Sequence, residues 1–133
     1  MAKKLILVDT NFLILAMADK YRYGELLKKI IEKKRLAISV IVVAEFLAKA
    51  IDSERKVLLT LVEYFGVVEI NLNVAMTAGD YRQKFLKLRR KTKLPDCLIG
   101  ASCKVNNLGL LTLNKKDYPM RDIDFVDLND LRN

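Results

Sequence analysis

The sequence predicts an α/β protein, a three-layer sandwich built on a mostly parallel sheet of four or five strands. Two observations carry this. Short, continuous apolar runs suited to strands buried on both faces alternate with longer segments whose apolar residues recur at helical spacing. Only five glycines and two prolines interrupt the chain, so most of it should be regular structure.

The elements follow in order. Leu5-Ile6-Leu7-Val8 reads as a buried strand that ends at Asp9. Glu25–Lys34 carries Leu26, Leu27, Ile30 and Ile31 on one face with lysines opposite, an amphipathic helix. Leu36–Val40 is expected as a second strand, and Val42–Ala50 as a helix containing Glu45. Lys56–Phe65 sets Leu58, Leu61, Val62 and Phe65 on one helical face, and Gly66 stops it. Val67–Ile70 should then form a third strand. Asn73 is expected to cap a helix whose stripe is Val74, Ala78, Tyr81, Phe85 and Leu88. Pro95 suits the first turn of a further helix running to about Asn106. Leu110–Leu113 is a fourth strand and Ile123–Leu128 a short fifth. No composition break or internal repeat divides residues 1–133, which are expected to form a single domain.

Composition narrows the chemistry. Hydrophobic residues make up 52% of the 133, which excludes a disordered tail. No apolar run reaches membrane-spanning length, and the opening MAKKLILVD reads as a first strand rather than a signal peptide. The chain has no histidine, so Ser-His-Asp and Cys-His mechanisms are excluded. Zinc is disfavoured too, because Cys97 and Cys103 are the only soft donors and form no CxxC pair. Six residues apart on one helix, they face different sides and read as two buried thiols of a reducing cytoplasm. The formal charge of +8 favours phosphate polymers, although basic chains without such partners are common.

Four acids map to one edge of the expected sheet. Asp9 follows the first strand, Glu45 lies about a turn into the helix after the second, Asp96 opens a helix, and Asp117 follows the fourth strand. Two like charges ~4 Å apart repel by on the order of 4 kcal/mol at an effective dielectric of 20. A cation turns that repulsion into binding, and all-oxygen ligands select Mg²⁺ or Mn²⁺. Each acid alone has a plainer reading: Asp9 as a turn or cap residue, Asp96 as a first-turn dipole residue, Glu45 as a lysine's partner, Asp117 as one more loop aspartate. Asp122, Asp124, Asp127 and Asp130 are read as structural.

Several segments resemble the PIN-domain family, especially the VapC toxins of toxin–antitoxin pairs. LILVDTNFLI is similar to its first strand with the Asp-Thr-Ser/Asn signature. ISVIVVAEFL, Ile38–Leu47, resembles its second motif, a serine on a strand and a glutamate on the next helix. AMTAGDYRQKF, Ala75–Phe85, resembles its helix of small residues leading into Tyr-Arg. Leu94–Tyr118 resembles its third and fourth motifs joined together. The match runs in order over nearly the whole chain, with Gly100-Ala101-Ser102 standing where alanine-rich sequence is commoner.

The resemblance implies a metal-dependent endoribonuclease with catalytic metal ligands at Asp9, Glu45 and Asp96. Members place a fourth acid at either of two positions, here Asn114 and Asp117, and only Asp117 supplies charge. Thr10, Asn11, Thr112 and Asn114 are candidates to position water or phosphate, as well as capping residues. In-line attack by an activated water would leave a 5′-phosphate and a 3′-hydroxyl. Arg82, Lys84, Lys87, Arg89, Arg90, Lys91 and Lys93 form the densest basic segment, either an RNA guide or a solvated helix end. Tyr21, Tyr23 and Tyr118 are read as core or rim residues, with base stacking as the alternative. The resemblance also implies a small antitoxin, a homodimer and a cytoplasmic setting. A housekeeping RNA-processing nuclease and a non-catalytic RNA- or protein-binding domain remain open. A phosphatase is disfavoured, since Asp9-Thr10-Asn11 lacks the second aspartate of its Asp-x-Asp.

Overall fold

The computed structural model describes residues 3–132. Four strands, β1 (Ile6–Val8), β2 (Leu36–Ala37), β3 (Gly109–Leu111) and β4 (Asp124–Phe125), form a parallel sheet in the order β2-β1-β3-β4. Ile6 pairs with Leu36 on one side and Gly109 on the other, which fixes the register of β2, β1 and β3. All three β1 side chains have 0% exposure. Successive strand residues point to opposite faces, so both faces of the sheet are covered, and each such side chain contributes roughly 2 kcal/mol of burial. This is the expected three-layer arrangement, with every strand parallel.

The covering helices are α1 (Thr10–Met17), α2 (Tyr23–Glu32), α3 (Val40–Leu47), α4 (Asp52–Phe65), α5 (Leu72–Lys87), α6 (Leu94–Asn106) and α7 (Leu128–Arg132). Helix α5 packs on α6, α1 on α2 and α3, and α7 on α2. The buried hydrophobic residues join into one cluster that runs from Ile6 to Leu131. Helix α6 buries Cys97, Ile99, Gly100, Ala101, Ser102 and Cys103, and the consecutive small residues among them let it be covered on more than one side. A Cβ on Gly100 would come within 3.2 Å of Met120 Sδ, so the glycine admits that methionine. Cys97 and Cys103 are both buried free thiols, as expected.

Four local expectations are corrected. The expected strand Leu36–Val40 is only Leu36–Ala37, because Ser39 caps α3 and Val40 is already its first residue. Val67–Ile70 is not a strand; only Val68 pairs, through a single parallel bridge to Ser39. The Val68 N–H donates to Ile38 O and its carbonyl accepts from Val40 N, but α3 begins at Val40 and leaves no further extended partner. The cap of α5 is Asn71, not Asn73: its backbone is extended and its side chain accepts from Val74 N at 3.0 Å. The last strand is only Asp124–Phe125, because Leu128 already belongs to α7, a helix the sequence pattern did not indicate.

Candidate active site

The strand order reverses between β1 and β3, since the chain leaves β1 toward β2 and later returns to the other side. Crevices at the carboxyl ends of parallel strands form at such points. Asp9 stands there, between the last residue of β1 and the first of α1. It is only 5% exposed, yet its carboxylate is fully engaged. Oδ1 accepts the backbone N–H of Asn11 at 3.0 Å and of Phe12 at 3.3 Å, which caps α1. Oδ2 accepts the Thr112 hydroxyl at 2.6 Å and the Tyr118 hydroxyl at 3.4 Å. The capping reading of Asp9 and the site reading are therefore both satisfied by one side chain.

The other acids arrive from three further elements. Ser39, buried at the end of the β2 segment, caps α3 by accepting from Ile41 N at 3.0 Å. Helix α3 then carries Glu45 over the same edge, where its Oε1 accepts the Thr10 hydroxyl at 2.7 Å. Asp96 lies in the first turn of α6, one residue after Pro95. Asp117 ends the 3₁₀ turn Lys115–Asp117 that follows β3. Asp9, Glu45, Asp96 and Asp117 all line one cleft of about 420 Å³, together with Thr10, Asn11 and Asn114. Thr112 joins it indirectly, donating to Asp9 while its hydroxyl accepts from Asn114 N at 3.1 Å.

The electrostatics register this convergence. The Asp96 carboxyl is raised from 3.8 to about 6, first by burial and then by the charges of Asp117, Glu45 and Asp9. Asp117 is the largest of the three charge effects, and Asn114 lines the same cleft. Among the described residues, no three acidic or thiol side chains stand close enough to enclose one ion directly. Ligation there requires side-chain rotation or bridging water. The donor set itself is all oxygen and strongly anionic, which fits Mg²⁺ or Mn²⁺ and not a soft metal.

The basic segment divides. Lys93 lines the acidic cleft, as does Lys49 of the segment after α3. Arg90 and Lys91, with Lys116, line an adjoining cleft of about 460 Å³ whose shared wall is Asp117. Lys84 and Lys87 sit apart, in a shallow depression on α5. Arg82 is on α5 within electrostatic reach of Cys97, and Arg89 is exposed just beyond the helix with φ +53°. Three of the four aspartates read as structural have structural partners: Asp122 accepts from Tyr81 and pairs with Lys104, Asp124 pairs with Lys4, and Asp127 accepts from Asn129 N.

Sequence reasoning missed the parts of Tyr118, Lys49 and Lys116. Tyr118 is a core residue by burial, at 3% exposure, but its hydroxyl reaches the site. The only sequence signal was its place directly after Asp117. Tyr21 is an exposed rim residue and Tyr23 is half-buried against Phe12.

Comparison with known proteins agrees with the fold. The family model described as "PIN domain" matches residues 6–126. The chain belongs to the PIN-domain family. It is 31% identical over 116 residues to Ribonuclease VapC10 of Mycobacterium tuberculosis, covering 87% of each chain. Among solved PIN-like structures, it superposes on a chain of the DNA-bound VapBC2 complex from Rickettsia felis with a TM-score of 0.76 and 19% identity, covering 92% of this chain and 97% of that one. A toxin–antitoxin complex from Klebsiella pneumoniae matches with a TM-score of 0.68 and 26% identity over 87% of this chain and 92% of that one.

Proposed function

We propose that this PIN-domain chain is a divalent-metal-dependent endoribonuclease and the toxin of a toxin–antitoxin pair. The observation that carries the reading is the gathering of Asp9, Glu45, Asp96 and Asp117 along one cleft at the carboxyl edge of the sheet. Asp9 and Asp96 would be direct ligands of Mg²⁺ or Mn²⁺; Glu45 and Asp117 would hold coordinated water or a second ion. When bound, the cation supplies charge stabilisation to the scissile phosphate and activates water. The chain's own residues do the rest. Thr112 orients Asp9, Thr10 orients Glu45, and Asn11 and Asn114 present amides to water or phosphate oxygens. Lys93 and Lys49 offset substrate charge at the cleft, and Arg90, Lys91 and Lys116 extend a cationic path past Asp117.

The antitoxin is part of this reading, supported by a relative named as a VapC ribonuclease and by neighbours described as VapBC or toxin–antitoxin complexes, and the homodimer is carried over from the family resemblance alone. A cytoplasmic setting is supported by the two unpaired buried thiols. Among the described residues, no helix is long and apolar enough to cross a membrane. The test is incubation of purified protein with structured and single-stranded RNAs in Mg²⁺, Mn²⁺ or EDTA. Chelator-sensitive cleavage supports the nuclease; RNA binding that persists in EDTA without cleavage supports a binding domain instead.

A further inference from the structure

Asp9 and Asp96 approach the cleft from different elements, and one uncharged donor faces both. Tyr118 follows the 3₁₀ turn, is buried by the core, and points its hydroxyl at the site. It donates to Asp9 Oδ2 at 3.4 Å and lines the same cleft as Asp96. A carboxylate has about four lone-pair sites. At Asp9 two are taken by backbone N–H groups, one by Thr112 at 2.6 Å and one by Tyr118 at 3.4 Å. Direct ligation of a cation by Asp9 therefore meets a filled inventory, and the longest contact is the one that yields.

We propose that Tyr118 is a positioning residue whose hydroxyl donates to Asp9 in the cleft it shares with Asp96, offsets part of the carboxylate repulsion there, and competes with the divalent cation for Asp9 Oδ2. This rests on the active-site reading above. The hydroxyl stabilises the chain when no cation is bound and weakens cation binding by the same amount, because whatever stabilises only the cation-free form is subtracted from the gain on binding. Asp96→Asn removes one of the two charges, so the hydroxyl has less repulsion to relieve in that background.

The test uses the full chain and Tyr118→Phe, which keeps the ring and deletes only the hydroxyl. Mg²⁺ affinity is read by calorimetry, and melting temperature is read in EDTA for the wild type, Y118F, D96N and the double variant. Y118F should melt lower in EDTA, bind Mg²⁺ about three- to tenfold more tightly, and show a smaller drop in melting temperature when Asp96 is already Asn. Unchanged or weaker Mg²⁺ binding overturns the proposal. So does an equal drop in both backgrounds, which marks ring packing alone, and so does a Y118F chain that fails to fold. If the wild type binds neither Mg²⁺ nor Mn²⁺, the active-site reading fails with it, an outcome distinct from normal wild-type binding left unaltered by Y118F.

Discussion

Thr112 donates its hydroxyl hydrogen to Asp9 Oδ2 at 2.6 Å, joining the end of β3 to the end of β1 across 103 positions of sequence. Both residues are 5% exposed, so the interaction is sheltered from water. Thr112→Val keeps the shape and removes the donor. Loss of a buried, charge-assisted hydrogen bond should destabilise the chain by about 1–3 kcal/mol. Because Asp9 Oδ2 then loses its shortest partner and is less firmly oriented, RNA cleavage should fall by about 10- to 100-fold. Denaturant melts and initial rates check the two halves, and a variant equal to wild type in both would remove Thr112 from the site.

Asp9→Asn should retain the fold. The amide oxygen still accepts from Asn11 and Phe12, so the α1 cap survives. Metal-dependent cleavage should drop by more than about 100-fold, since a ligand's charge matters more than its orientation by an outer partner. Unchanged turnover in a folded variant would falsify a role for Asp9 in catalysis.

The raised Asp96 carboxyl gives stability a pH dependence with a definite sign. Its folded value, about 6, lies above the ordinary 3.8, so between them the folded chain holds the extra proton. Stability therefore falls as pH rises through that window in EDTA, and the contribution is screened because Asp96 is only half-buried. Melting temperatures from pH 4 to 7 should show a component that Asp96→Asn abolishes. Saturating Mg²⁺ should also flatten it at the upper end, where the carboxylate is held by the cation. A component that survives in D96N unchanged assigns the dependence to other groups.

The two halves of the basic segment should behave differently toward RNA. Arg90 and Lys91 flank Asp117, whereas Lys84 and Lys87 line a separate depression. Replacing Arg90 and Lys91 by Gln should raise KM and leave kcat nearly unchanged. It should also reduce the slope of log affinity against log salt by ~1 for each phosphate no longer neutralised. The same change at Lys84 and Lys87 should do much less. Equal effects from both pairs would assign binding to net charge rather than to a path.

Much of the architecture was legible because burial leaves a one-dimensional trace. Ile6, Leu7 and Val8 form a run without polar alternation, the pattern of a strand covered on both faces. The stripe of α5 is buried as its spacing indicates at Val74, Ala78, Tyr81 and Phe85, whereas Leu88, expected to continue it, is the helix's exposed C-cap. Val67–Ile70 has the same apolar character but failed as a strand, since pairing needs an extended neighbour and Ser39 had already turned into the α3 cap. Asn71 and Asn73 are equally able caps by composition; the backbone conformation of Asn71 chose between them.

By itself the sequence determined the α/β layering and the four acids at strand ends and helix starts, because periodicity and strand-end charges are properties of neighbours along the chain. Only the tertiary structure decided that Asp117 crowds Asp96, that Thr112 and Tyr118 both reach Asp9 Oδ2, and that Arg90 and Lys91 part company with Lys84 and Lys87. Those juxtapositions bring together residues up to 109 positions apart, and the position of the Tyr118 hydroxyl against the Asp9 carboxylate depends on how helices and sheet close around it.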